Sequence, residues 1–88
     1  MKLKSNVIIQ PLAGETMLVV AATTPDDFHG IVKFNDTAAD IASAMREDVT
    51  EDQILTLLQE KYEGPEEAMR ADIRKVADRL RRIGVLEG

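Results

Sequence analysis

The chain contains no cysteine and no tryptophan. Without cysteine there is no disulfide, no thiolate nucleophile and no thiolate metal site. Aromatic residues are limited to Phe28, Phe34 and Tyr62, so the core has to be built from aliphatic side chains. The single histidine, His29, stands beside Gly30 in a turn-rich segment with no nucleophile near it, and reads as a solvated turn residue. The five glycines, at 14, 30, 64, 84 and 88, are too scattered for a phosphate-cradling loop. Long apolar runs are missing as well. The start, Met1 to Asn6, turns polar at once, and Val7-Ile8-Ile9 is far shorter than a secretory core. No run approaches the roughly 20 residues of a membrane helix. A cytoplasmic location without membrane association is the expectation.

What is present fits one small domain spanning residues 1–88. Apolar residues make up 44% of the chain, enough for a core and too many for a disordered segment. The net charge of −5 gives a field that repels phosphate backbones, which counts against nucleic acid as a partner.

The pattern changes character near residue 35. Before it come short β-rich runs: Val7–Ile9, Thr16–Ala21 and Ile31–Phe34. Turn formers separate them, Pro11 with Gly14-Glu15, then Thr24-Pro25-Asp26-Asp27 and Gly30. Connections this short suit antiparallel neighbours and predict a three-stranded meander. In the third strand Val32 and Phe34 share one face, Ile31 and Lys33 the other, and Phe34 is the better core candidate.

After residue 35 the period is helical. A first helix is expected from about Asp36 to Arg46, capped by Asn35 or Asp36, with Ala38, Ile41, Ala42 and Met45 on one face. A second opens on the capping box Thr50-Glu51-Asp52-Gln53, carries the stripe Ile54, Leu57, Leu58 and Tyr62, and ends by Gly64. A third begins with Pro65 and Glu66-Glu67, where acids suit the helix dipole. Its apolar stripe is Met69, Ile73, Val76, Ala77, Leu80 and Ile83. Gly84 caps it, with Val85-Leu86 folding back. The expected class is α+β, in the order βββααα.

No catalytic constellation emerges. The acid pairs Glu47-Asp48, Glu51-Asp52 and Glu66-Glu67 sit at helix ends, where capping and dipole compensation account for them. No His, Cys or acid cluster has metal-ligand spacing. No cofactor is needed, and a binding protein rather than an enzyme is expected. Two features suggest binding. Six of the eleven basic residues fall on the third helix: Arg70, Arg74 and Arg81 are expected along one border of its stripe beside Ala77, with Lys75, Arg79 and Arg82 outward. The meander also leaves edge strands, and an unpaired edge is a template for another extended chain.

These features meet a family pattern. The stretch Val32-Lys33-Phe34-Asn35-Asp36-Thr37-Ala38-Ala39-Asp40-Ile41 resembles the "hydrophobic-Asn-x-Thr-Ala/Gly-x-x-Ile" signature of the PqqD-like family, precursor recognition domains for ribosomally made, post-translationally modified peptides. Thr50–Ile54, Leu57-Leu58 and Lys61-Tyr62 are similar to its second helix. Asp72-Ile73, Leu80 and Ile83-Gly84-Val85-Leu86 are similar to its closing segment, and Gly14-Glu15 with Met17–Val20 to its hairpin. One departure is Ala42, where the family often carries a bulky residue, commonly tryptophan; it bears on local packing and on the choice of precursor. The resemblance implies a winged-helix-like domain without catalysis of its own. Such a domain binds a leader peptide as a strand added to the third strand, in a cleft walled by the third helix, and presents it to a modifying enzyme, often a radical SAM protein. The implied peptide-binding residues are Ile31, Val32, Lys33, Phe34, Arg70, Ile73, Arg74, Ala77 and Arg81, the arginines suiting an acidic leader. A winged-helix DNA-binding regulator and a dimerisation module that pairs two edges stand as alternatives, and the oligomeric state is left open.

Overall fold

The computed structural model describes residues 1–21 and 30–87; the Thr24–Asp27 turn and His29 lie outside the described residues. Its strands are β1 (Lys2–Leu3), β2 (Val7–Leu12), β3 (Glu15–Val20), β4 (Gly30–Phe34) and β5 (Leu86–Glu87), and its helices α1 (Asp36–Ala44), α2 (Glu51–Lys61) and α3 (Glu66–Arg82). A two-residue turn joins β2 to β3. Ala13 and Gly14 both take positive φ, 53° and 78°, the turn that matches the right-handed twist of the flanking strands. Antiparallel pairing in the order β2-β3-β4 is the expected meander.

Strand alternation splits the sheet into two faces. Ile9, Leu18 and Val32 stand in register on the inner face, and Leu18 and Val32 are buried. Ile8, Val19 and Ile31 stand in register on the outer face, where Ile8 and Ile31 are exposed. Val32 is more deeply buried than Phe34, which only packs against the margin of the core. The helices cover the inner face, with α1 contacting β3 and β4 and α3 packing on α1 and α2.

Local signals set the helix limits. The Asn35 side chain accepts the Ala38 N–H at 2.8 Å and opens α1. That helix stops at Ala44 rather than Arg46, because the Met45 N–H folds back to Ala42 and the Met45 carbonyl is taken by the Leu3 N–H at 2.8 Å. The capping box of α2 forms in both directions: Thr50 Oγ1 accepts from the Gln53 N–H and Gln53 Oε1 from the Thr50 N–H. On α2 the buried residues are Ile54, Leu55 and Leu58. Leu57, assigned to the stripe by spacing, is half-exposed, since α2 meets α1 and α3 on the face formed by Ile54, Leu55 and Leu58. Pro65 is the N-cap of α3 rather than a residue of its first turn. The Gly84 N–H bonds to the Arg81 carbonyl and the Val85 N–H to that of Leu80, closing α3 with a Schellman motif.

The order βββααα needs one addition. Lys2 pairs with Glu87 and Leu3 with Leu86, so β1 and β5 form a separate two-stranded sheet. Two-residue strands have no period to read, which is why the pattern does not announce them. Leu3, Val85 and Leu86 join the core, whose fully buried centre includes Leu18, Ile41, Met45, Ile54, Leu58, Ile73 and Leu80. No described side chain leaves a buried polar atom without a partner. The result is an α+β, winged-helix-like domain.

Gly84 adopts φ 78°, and a Cβ there would meet nothing within 4 Å. Gly84→Ala is therefore expected to cost about 1–2 kcal/mol through backbone conformation alone. Urea denaturation followed by circular dichroism measures this, with the slope unchanged.

Candidate functional site

Antiparallel strands alternate between pairs that exchange hydrogen bonds and pairs that do not. Pro11 stands opposite Thr16 and has no N–H, so that pair is a non-bonded one. The bonded pairs between β2 and β3 are then Ile8–Val19 and Gln10–Met17, and the bond from the Ala21 N–H to the Asn6 carbonyl continues the alternation. It follows that Thr16, Leu18 and Val20 turn their backbone groups toward β4, meeting Phe34, Val32 and Gly30. The N–H and C=O groups of Ile31 and Lys33 point the other way, to the edge of β4 that no described strand pairs. Four backbone groups at a two-residue repeat are thereby offered to an incoming chain.

The side chains divide the same way. Ile31 (63% exposed) and Lys33 lie on the outer face, with Lys33 Nζ 3.6 Å from Glu15. Val32 and Phe34 point inward. The Arg79 guanidinium lies over the Phe34 ring, its central carbon 5.3 Å from the centroid, a contact worth about 0.5–1 kcal/mol at an exposed site. Arg79, placed outward by spacing, is thus the α3 cation beside β4. Farther along, Asp72, Lys75 and Val76 face Asn35, Thr37 and Ala38 across a recess of about 180 Å³ at the β4–α1 junction.

Arg70 and Arg74 occupy the opposite border of α3, against α2. Arg70 Nη1 is 2.7 Å from Glu51 and 2.8 Å from Asp52, and its Nε is 3.4 Å from Glu66. Arg74 Nε is 2.8 Å from Glu51. Hydrogen bonds from Arg74 and Arg70 hold the Glu51 carboxyl below its ordinary value, and Asp52 and Glu51 push Arg70 upward. These two arginines join α3 to the start of α2 and are not brought to β4. Ile73 and Ala77 are 1% and 2% exposed and belong to the core. Arg81 pairs with Asp78 at 3.5 Å. Of the nine residues expected at the site, the structure gathers Ile31–Phe34 on one edge, while Arg70, Ile73, Arg74, Ala77 and Arg81 serve the other side of α3 or the core. Spacing separates the two borders of α3 and does not say which one meets the sheet.

A second tie closes the far end of α2. The Tyr62 hydroxyl donates to Asp40 at 2.5 Å, and Lys61 Nζ lies 3.0 Å from the same carboxyl. Burial pushes Asp40 up, but the bonds from Tyr62 and Lys61 outweigh it and the net displacement is downward. Among the described residues no group of histidines and acids could hold a metal ion.

Because Glu51 titrates below its ordinary value of 4.5 when folded, its ion pairs contribute stability at neutral pH. Glu51→Gln is expected to be less stable than the parent at pH 7. The difference should close as the pH falls below 4.5 and through the lower folded-state value, measured by thermal unfolding across that range.

The fold has close solved counterparts. A search of curated protein sequences found no match. One similar structure is "TbiB1 in Complex with the TbiA(beta) Leader Peptide", with 19% identity and a TM-score of 0.80, covering 100% of this chain and 96% of that one. Another is "Lasso peptide synthetase B1 complexed with the leader peptide", with 17% identity and a TM-score of 0.77, covering 99% and 96%. At these identities the likeness is one of fold. The family model for coenzyme PQQ synthesis protein D (PqqD) matches residues 12–86, nearly the whole length, and the chain belongs to that family.

Proposed function

We propose that this chain binds the leader segment of a ribosomally made precursor peptide as an added strand on β4 and presents it to a modifying enzyme. The observation that carries the reading is the edge of β4 that no described strand pairs, with the Ile31 and Lys33 backbone groups directed outward and α3 standing beside it. Family membership and two similar folds solved in complex with leader peptides support it. Backbone pairing supplies affinity with little regard to sequence, and pockets for alternate side chains supply choice. The modifying enzyme, a radical SAM protein or another class, performs the chemistry, and the chain itself is a non-catalytic carrier. It would act in the cytoplasm, where precursors are made; no described helix is long and apolar enough to cross a membrane. The DNA-binding alternative loses ground because Arg70 and Arg74 are held by acids of α2 and Arg79 lies against Phe34.

The test is titration of the isotope-labelled chain with a synthetic leader from a precursor gene neighbouring its own. Amide shifts are expected to centre on Ile31–Phe34, and shifts confined elsewhere would sink the reading. Lys33→Pro deletes an outward N–H without touching the β3–β4 ladder, so it should fold and bind about tenfold or more weakly. Val32→Pro strikes the ladder itself and is the wrong probe.

A further inference from the structure

We propose that Arg79 selects peptides carrying an aspartate or glutamate at the position beside Phe34, two residues from an apolar side chain beside Val32. This rests on strand docking at β4 and adds the chemistry of the docked segment.

The alternation on β4 dictates where a docked peptide points its side chains. Residues set beside Val32 and Phe34 project to the inner face, toward α3, while those beside Ile31 and Lys33 project outward. Directly paired residues on one face have Cβ atoms about 4.5–5.5 Å apart. The Arg79 guanidinium stands over the Phe34 ring, so a short acidic side chain beside Phe34 falls within its reach. Beside Val32, itself buried, only an apolar neighbour fits without stranding a polar group.

Arg79 is suited to this role by what already holds it. Its described contact is with the face of a ring, which takes none of its N–H donors. A guanidinium resting on an aromatic face keeps its edge open for a bidentate carboxylate. Arg70, Arg74 and Arg81 all have carboxylate partners within the chain. Lys75, one turn before Arg79, lines the recess at the β4–α1 junction, where Asp72 offsets its charge and leaves Arg79, among the described residues, as the uncompensated cation of this border. Elsewhere the net charge of −5 disfavours acidic peptides. An acid is therefore favoured at this spot and discouraged away from it, so the contact fixes register as well as identity.

The probe is a phage-displayed library of random dodecapeptides panned against the intact chain. Selected peptides are expected to share an Asp or Glu two residues from an apolar residue, and one of them, synthesised, should shift the Ile31 and Lys33 amides. Arg79→Glu should weaken that peptide about tenfold or more, and changing its acid to lysine should restore binding to the variant. Arg82→Glu, a charge reversal of equal size on the same helix, should leave affinity as it is. Circular dichroism of each variant separates lost binding from lost folding, and Arg79→Lys, which keeps the charge without the fork, should fall between parent and Arg79→Glu. Peptides that shift Ile31 and Lys33 yet bind Arg79→Glu unchanged would overturn the role of Arg79 and leave strand docking intact. Selected peptides that leave β4 unmoved, or failure to select any, would count against strand docking itself.

Discussion

Everything the protein offers at its open edge follows from the two-residue turn at Ala13–Gly14. That turn fixes the register of β2 on β3, and with it the side of every residue along three strands. A slip of one residue would send Leu18 and Val32 outward and bring Val19 and Ile31 into the core. It would also exchange which β4 backbone groups face solvent. The same register that buries the inner face therefore decides that Ile31 and Lys33 present the edge. Pro11 agrees with it, since it occupies a position where β3 needs no N–H. Ala13 accepts a positive φ that costs a non-glycine residue about 1–2 kcal/mol. The twist-matched turn is kept even so.

Helix α3 serves two surfaces with two different chemistries. Its Arg70–Arg74 border is occupied by carboxylates of α2, which fixes the helix against its neighbour. Its opposite border, with Asp72, Lys75 and Arg79, faces β4 and the start of α1. One border being committed is what lets the other stay open: the ion pairs to α2 and the Schellman closure at Gly84 hold α3 at a set distance from the sheet. A helix anchored from behind would need little rearrangement for the proposed docking of a strand, and less ordering on binding leaves more of the interaction as affinity.

The parts of this arrangement that are local in sequence could be read from it. Asn35, the Thr50–Gln53 box, and Gly84 with Val85 each act within a few residues, and each stands where the pattern placed it. The meander was legible because turn chemistry and alternation agree. What could not be read depended on distant partners. The pairing of β1 with β5 joins opposite ends of the chain through two residues each. The exposure of Leu57 and burial of Leu55 depend on where α1 and α3 lie. The expected arginine border is a true face of α3, and the neighbour that Arg70 and Arg74 meet is α2. Glu51, on the α3-facing side of α2, was the available signal, since an acid one turn before Leu55 has a cation as its natural partner.

An edge kept open for recognition is also open to unwanted pairing, and the strand is built within that tension. β4 has only five residues, which limits the ladder a second copy could build on it. Lys33 puts a charge on the edge, though Glu15 partly offsets it. A net charge of −5 opposes the approach of a second copy before backbone pairing begins. A peptide with a suitable acid meets a local cation at Arg79, whereas a second copy would have to bring its own Lys33 to the same edge. On the proposed docking, selectivity against self-pairing and selectivity for an acidic peptide would come from the same few charges. The short strand would supply the adhesion, and those charges would decide what adheres.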